Sequence, residues 1–153
     1  MTDLILENIN KHVKYGDILI NLGDFVFKNH KDIPKMRARI VCETVHHVVG
    51  NHDNKINLYE NQFSSISDIM KLEYYGHKFV LCHYAMRVWN QMHKGAFHLY
   101  GHSHDTLDKP PLPVWGRSMD IGIDSAYRLL GEYRPFHIQE IIEILSKRKS
   151  IKE

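Results

Sequence analysis

Four short apolar runs in this chain each stop at a residue able to bind a ligand. "ILINL" (18–22) runs into Gly23-Asp24, and "TVHHVV" (44–49) into Gly50-Asn51-His52-Asp53. "FVLC" (79–82) runs into His83, and "AFHLY" (96–100) into Gly101-His102. Apolar runs of this length, bounded by such punctuation, read as buried strands. In open α/β sheets, ligands bind at the carboxyl ends of strands. A glycine there lets the backbone turn sharply and approach a ligand closely. Packing alone gives no reason for four strands to carry polar side chains to one edge.

The segments between these runs complete an alternating α/β pattern. "TDLILENINKHV" bears a helical stripe at Leu4, Ile5, Ile9 and Val13, with Thr2 placed to cap it. "KDIPKMRARI" reads as a short helix with Pro34 near its start. Residues 57–63 read as a helical turn, and "SDIMKLEYYGHKFVLCHY" as a hairpin turning at Gly76, its second strand ending at His83. Residues 105–118, with Pro110, Pro111 and Pro113, read as a loop, and "SMDIGID" as a late strand. "FHIQEIIEIL" closes the pattern as a helix. Residues 1–145 form one domain in this reading, followed by a solvated basic tail over 146–153.

Composition narrows the function classes. The chain has 153 residues, enough for one well-filled core, and 43% are hydrophobic. A net charge of +2 is too small to argue for nucleic acid, which enters only as a substrate. No apolar run is long enough to span a membrane. "MTDLILENIN" is acidic and amphipathic, unlike a signal peptide. Cys42 and Cys82 sit in apolar surroundings as free thiols, which suits a cytoplasmic location. The unusual number is 12 histidines, many beside Gly, Asn or Asp. That directs attention to metals and phosphates.

"LGDFVF" (22–27), "VVGNHD" (48–53), "LCHY" (81–84) and "YGHSH" (100–104) resemble, in order and spacing, the signature blocks of the calcineurin-like metallophosphoesterases. "DIGID…EYRPFHIQEI" is similar to the tail of small bacterial and phage members. The resemblance implies a four-layer α/β/β/α sandwich of mixed sheets around a two-metal site. By the same resemblance Asp24 bridges the metals. Asn51, His83 and His102 complete one metal, and His104 serves the other. His52 hydrogen-bonds or protonates the phosphate, and Asp53 orients His52. Apart from the resemblance, Tyr84 and Arg87 follow a ligand in the chain and are candidates to line the phosphate pocket.

Elementary chemistry agrees with those roles. A carboxylate can span two metals about 3.5–4 Å apart, the separation used in in-line phosphoryl displacement. Imidazole with carboxylate suits Mn²⁺ first here, with Fe, Zn, Ni or Co as alternatives. The expected activity is therefore that of a metal-dependent phosphohydrolase acting on a phosphodiester or phosphomonoester by metal-activated water. The alternative is a catalytically weak or inactive phosphoesterase-like binding module.

One departure bears on that choice. The family opens with an Asp-x-His block on its first strand, which supplies ligands to the metal served by His104. No Asp-x-His occurs in these 153 residues. Either the sequence begins after that strand, or a partner chain supplies it by dimerisation or strand swapping, or the protein is a natural remnant with one intact metal site. Several residues carry structural expectations instead. His12, His30, His77, His93 and His137 read as surface or turn residues, and His98 as structural. His46 and His47 cannot both face inward. Asp120 and Asp124 either brace the site or serve turn chemistry, and Trp89 either lines the pocket or packs.

Overall fold

The computed structural model describes residues 1–152. The chain forms helix α1 (Thr2–His12), strand β1 (Ile18–Asn21), helix α2 (Ile33–Ala38) and strand β2 (Thr44–Val48). Strands β3 (Ser65–Ser67), β4 (Ile69–Tyr74), β5 (His77–Cys82), β6 (Phe97–Tyr100) and β7 (Ser118–Asp120) follow. Helices α3 (Ile123–Leu130) and α4 (Ile138–Ser146) end the fold, and short 3-10 turns occupy His30–Asp32, Ile56–Gln62 and Met92–Lys94.

Two sheets result. The first is wholly parallel, in the order β1-β2-β3, so β1 has a single hydrogen-bonded neighbour. The second runs β4-β5-β6-β7, with β4 antiparallel to β5 and the other pairs parallel. Alternation along the strands assigns their faces. Leu19, Val45 and Ile66 pack with Leu6 and Ile9 of α1 and with Ile33 and Met36 of α2. Ile20 and Val48, on the opposite face, meet Phe79, Leu81, Phe97, Leu99 and Met119 of the second sheet, where Ile141 and Leu145 of α4 join them. The expected mixed α/β sandwich is therefore present. The outer face of the second sheet, around Val80, is covered by Trp89, Met92 and Ala96, with Ile151 from the chain end.

Several local features depart from expectation. Thr2 lies inside α1, whose cap residue is Met1 with no side-chain bond. The helix around Pro34 is shorter than expected, with a 3-10 turn as its first part. β3 was not foreseen, because three residues are too few to show a period. The late strand stops at Asp120, and α3 begins where strand was expected to continue. Its signals were Gly122 at the cap, Asp124 in the first turn and Gly131 in the left-handed conformation after the last. His137 is the N-cap of α4, in a capping box with Glu140. The basic tail is solvated only in part: Lys147, Lys149 and Lys152 are exposed, but Arg148 and Ile151 are not. Arg148 pairs with Asp108 at 3.1 Å and also donates to the Ser118 carbonyl, while Ile151 packs beside Gly116.

His98 is fully buried on β6 and has a structural role. Its Nδ1 lies 2.9 Å from the Val80 carbonyl, and its Nε2 accepts the Met86 N–H at 2.9 Å. That fixes the neutral Nδ1–H tautomer and anchors the segment after His83. Burial holds the ring's pKa below the ordinary 6.5, against the opposing pull of the Val80 and Tyr84 backbone groups. The unfolded chain therefore takes up this proton first as the pH falls. Stability in urea titrations is expected to drop as the pH is lowered below about 6.5, with a shallower drop in His98→Gln. An unchanged slope in that variant would remove His98 as the cause.

Candidate metal centre

The residues singled out from sequence lie one to three positions beyond strand ends, in loops rather than on the strands. Asp24 follows β1, Asn51 follows β2, His83 follows β5 and His102 follows β6. The structure brings all four together. His83 Nε2 stands 2.9 Å from Asn51 Oδ1, 3.1 Å from His102 Nδ1 and 3.3 Å from Asp24 Oδ2. His102 Nδ1 is 3.0 Å from Asn51 Oδ1. Among the described residues, Asp24, His83 and His102 form the one group of three or more His, Cys, Asp or Glu whose ligand atoms all lie within 4.8 Å of one another.

Two glycines make this approach geometrically allowed. A Cβ on Gly23, whose φ is +105°, would stand 2.3 Å from His83 Nδ1 and 2.8 Å from the Gly50 Cα. A Cβ on Gly50 would stand 2.3 Å from Asp24 Oδ1 and 2.6 Å from Asp24 N. The 22–24 backbone is thus pressed directly onto the 50–51 backbone and the His83 ring. Asp24 itself has φ +57°, an unfavourable conformation that needs external support.

Asp53 supplies that support, which corrects the expectation that it orients His52. Its Oδ2 accepts the Gly50 N–H at 2.7 Å and the Asp24 N–H at 2.8 Å, and its Oδ1 accepts the Phe25 N–H at 3.2 Å. His47 Nε2 donates to Oδ2 at 2.8 Å from the buried side of β2. Burial pushes the Asp53 carboxyl up, but the bonds from His47, Gly50 and Asp24 outweigh it and hold the pKa below the usual value. His47, which sequence reasoning did not single out, sits between Phe25 and Phe63. Its Nδ1 has no hydrogen-bond partner among the described residues. The alternation of His46 and His47 was the available signal.

The donor chemistry of the cluster fits a cation. His83 Nδ1 donates to the Leu22 carbonyl at 2.6 Å, so in the neutral ring Nε2 presents a bare lone pair. That lone pair faces an amide oxygen, a carboxylate oxygen and a second imidazole nitrogen. One proton on His102 Nδ1 can relieve only part of this crowding.

The remaining expected residues lie around this centre in different ways. His52 is exposed, and its backbone N–H donates to Asp24 Oδ1 at 2.8 Å. Its ring meets the exposed Phe27, a contact absent from the sequence reading. Tyr84 packs beside both His83 and His102. The Arg87 guanidinium lies over the Trp115 ring, at 5.5 Å from its centroid. Trp89 packs in the core, its Nε1–H on the Ala96 carbonyl. His104 is outside the cluster, highly exposed, with Nδ1 3.2 Å from Asp124 Oδ2. Asp120 is a brace: its carboxylate accepts the N–H groups of Gly122 and Asp105. Burial raises its pKa to about 6 despite those two bonds, with Asp105 and Asp108 adding to the rise.

One tight Mn²⁺ per chain is expected by calorimetric titration, because among the described residues such donors converge at one place. Two equally tight ions would contradict this. Asp53→Asn, which keeps size but weakens the hold on Gly50, Asp24 and Phe25, is expected to cost ~10–100-fold in Mn²⁺ affinity. Parent-like affinity would show that the carboxylate is dispensable.

The comparisons with known proteins agree with this architecture. A solved structure of a protein of unknown function from Aquifex aeolicus is 20% identical, with a TM-score of 0.72, over 94% of this chain and 84% of that one. A novel archaeal phosphodiesterase is also 20% identical, with a TM-score of 0.53, over 82% of this chain and 77% of its own. No curated protein matches in sequence. The calcineurin-like phosphoesterase superfamily domain matches residues 2–111, spanning every residue of the cluster. This chain belongs to the calcineurin-like phosphoesterase superfamily.

Proposed function

We propose that the protein is a metal-dependent phosphohydrolase that cleaves a phosphodiester or a phosphomonoester. The observation that carries the reading is the convergence of Asp24, Asn51, His83 and His102, whose ligand-capable atoms lie 2.9–3.3 Å apart. Family membership and the likeness to an archaeal phosphodiesterase support it. Mn²⁺ is the first choice of metal, with Fe, Zn, Ni or Co fitting the same donors. When bound, such a metal supplies Lewis acidity toward a phosphoryl oxygen and a water made nucleophilic near neutral pH.

The chain's own residues do the rest. Asp24, Asn51, His83 and His102 hold the metal. Together they carry one negative charge when the imidazoles are neutral, so a divalent site keeps a net attraction for phosphate. His52, tied to Asp24 through its backbone, sits at the exposed mouth and protonates the leaving oxygen. Tyr84 walls one side, and Arg87, on the same segment, adds positive charge for the substrate's phosphate. Because no Asp-x-His block accompanies His104 in these 153 residues to complete a second metal, we expect turnover by these residues to be slow.

His52→Ala is expected to lower turnover of a chromogenic diester by ~10²–10⁴-fold while Mn²⁺ affinity stays at the parent value. Asn51→Ala is expected to weaken metal retention and to recover in excess Mn²⁺. Equal turnover by His52→Ala and the parent would place the activity elsewhere. Tight Mn²⁺ binding with no turnover of any ester would favour a binding module.

A further inference from the structure

The loop that delivers His102 passes through two successive non-glycine residues in the left-handed conformation, His104 at φ 48° and Asp105 at φ 64°. Such a backbone persists only where its surroundings over-determine it. The Asp105 side chain is the place where they do so. It is buried, and Arg128 of α3 grips both its oxygens, Nε to Oδ2 at 2.7 Å and Nη2 to Oδ1 at 2.9 Å. The same Nη2 reaches the Asp108 carbonyl at 3.2 Å. From the other side, the Asp105 N–H donates to Asp120 Oδ2 at 2.9 Å.

The His102 backbone is tied to the second sheet at one carbonyl. Its backbone N–H donates to the His83 carbonyl at 2.9 Å, beside the Gly101 N–H at 3.1 Å, and the residue is exposed. Nothing in those two bonds fixes where the chain goes next. Turn bonds from the His104 N–H to the Gly101 carbonyl and from the Thr106 N–H to the Ser103 carbonyl shape the loop locally, and the Arg128–Asp105 fork, three residues on, ties it to α3. A bidentate guanidinium–carboxylate pair sets distance and plane together, which a single lysine nitrogen cannot do.

We propose that Arg128 is a positioning residue of the metal centre: through Asp105 it holds the 101–105 loop so that His102 presents Nδ1 beside His83 and Asn51. This rests on reading the cluster as a metal site. Arg128 touches none of the four donors, and its effect travels only through the loop. Arg148 offers a built-in comparison. It forms a similar pair with buried Asp108, at 3.1 Å, but holds the chain further from His102.

The test is Mn²⁺ affinity by calorimetry, with the melting temperature of the metal-free protein measured alongside. Arg128→Lys keeps the charge and loses the fork. It is expected to bind Mn²⁺ ~10–100-fold more weakly. Arg148→Lys is expected to lower the melting temperature as well, yet to bind Mn²⁺ like the parent. If Arg128→Lys does not fold, Asp105→Asn, which keeps one oxygen for the guanidinium and its own N–H on Asp120, carries the same expectation. Parent-like affinity in the Arg128 or Asp105 variant overturns the proposal. Equal weakening in Arg148→Lys overturns it too, since general destabilisation would then suffice. A parent protein that binds no Mn²⁺ overturns the metal centre itself, a result distinct from either.

Discussion

The site depends on one carboxylate that would touch neither metal nor substrate. Asp53 collects the N–H groups of Gly50, Asp24 and Phe25, and His47 donates to it from within the first sheet. These bonds join the loop after β1 to the loop after β2. They also stabilise the left-handed backbone at Asp24, which a free chain would avoid. The Gly23 and Gly50 backbones can lie this close only because neither bears a Cβ. Hydrogen bonds to a charged acceptor contribute about 1.5–3 kcal/mol each, and losing the acceptor would leave buried N–H groups unsatisfied. The geometry of Asp24 is therefore set before any ligand arrives.

With that frame in place, the two sheets each contribute half of the cluster. The first sheet brings Asp24 and Asn51, and the second brings His83 and His102. The inner core between the sheets, with Val48 facing Leu81 and Leu99, holds the halves in register. The contact of His83 Nδ1 with the Leu22 carbonyl is the direct bridge from one half to the other. It also turns the Nε2 lone pair toward the other donors. A cluster of electron-pair donors assembled this way is unfavourable by itself, and binding a cation releases the repulsion. Binding free energy gained in the folded state then adds to stability by linkage.

Much of this was legible in the residues. The glycine-flanked polar residues after β1 and β2, and the histidines after β5 and β6, gave both the α/β class and the four donors. What was not legible has identifiable physical causes. The resemblance made Asp53 a partner for its neighbour His52, whereas its carboxylate binds Gly50 and His47 nearby and Phe25 and Asp24 28 and 29 positions back. Alternation let only one of His46 and His47 face inward, and burial shows that the His47 ring is the one that meets Asp53. The α3 helix was hidden because "DIGID" alternates as a strand would, and the Gly122 cap wins over that alternation. The basic tail was read from charge alone, while Arg148 pairs with an aspartate 40 residues away. Long-range pairing of this kind leaves no local period.

The central claim is that Asp24, Asn51, His83 and His102 form a preassembled cation site. Anomalous diffraction from crystals soaked in Mn²⁺ tests it most directly. The account predicts one dominant anomalous peak among these four side chains, with Asp53 still bound to the Gly50 and Asp24 N–H groups. No peak there, or a dominant peak elsewhere in the molecule, would contradict it.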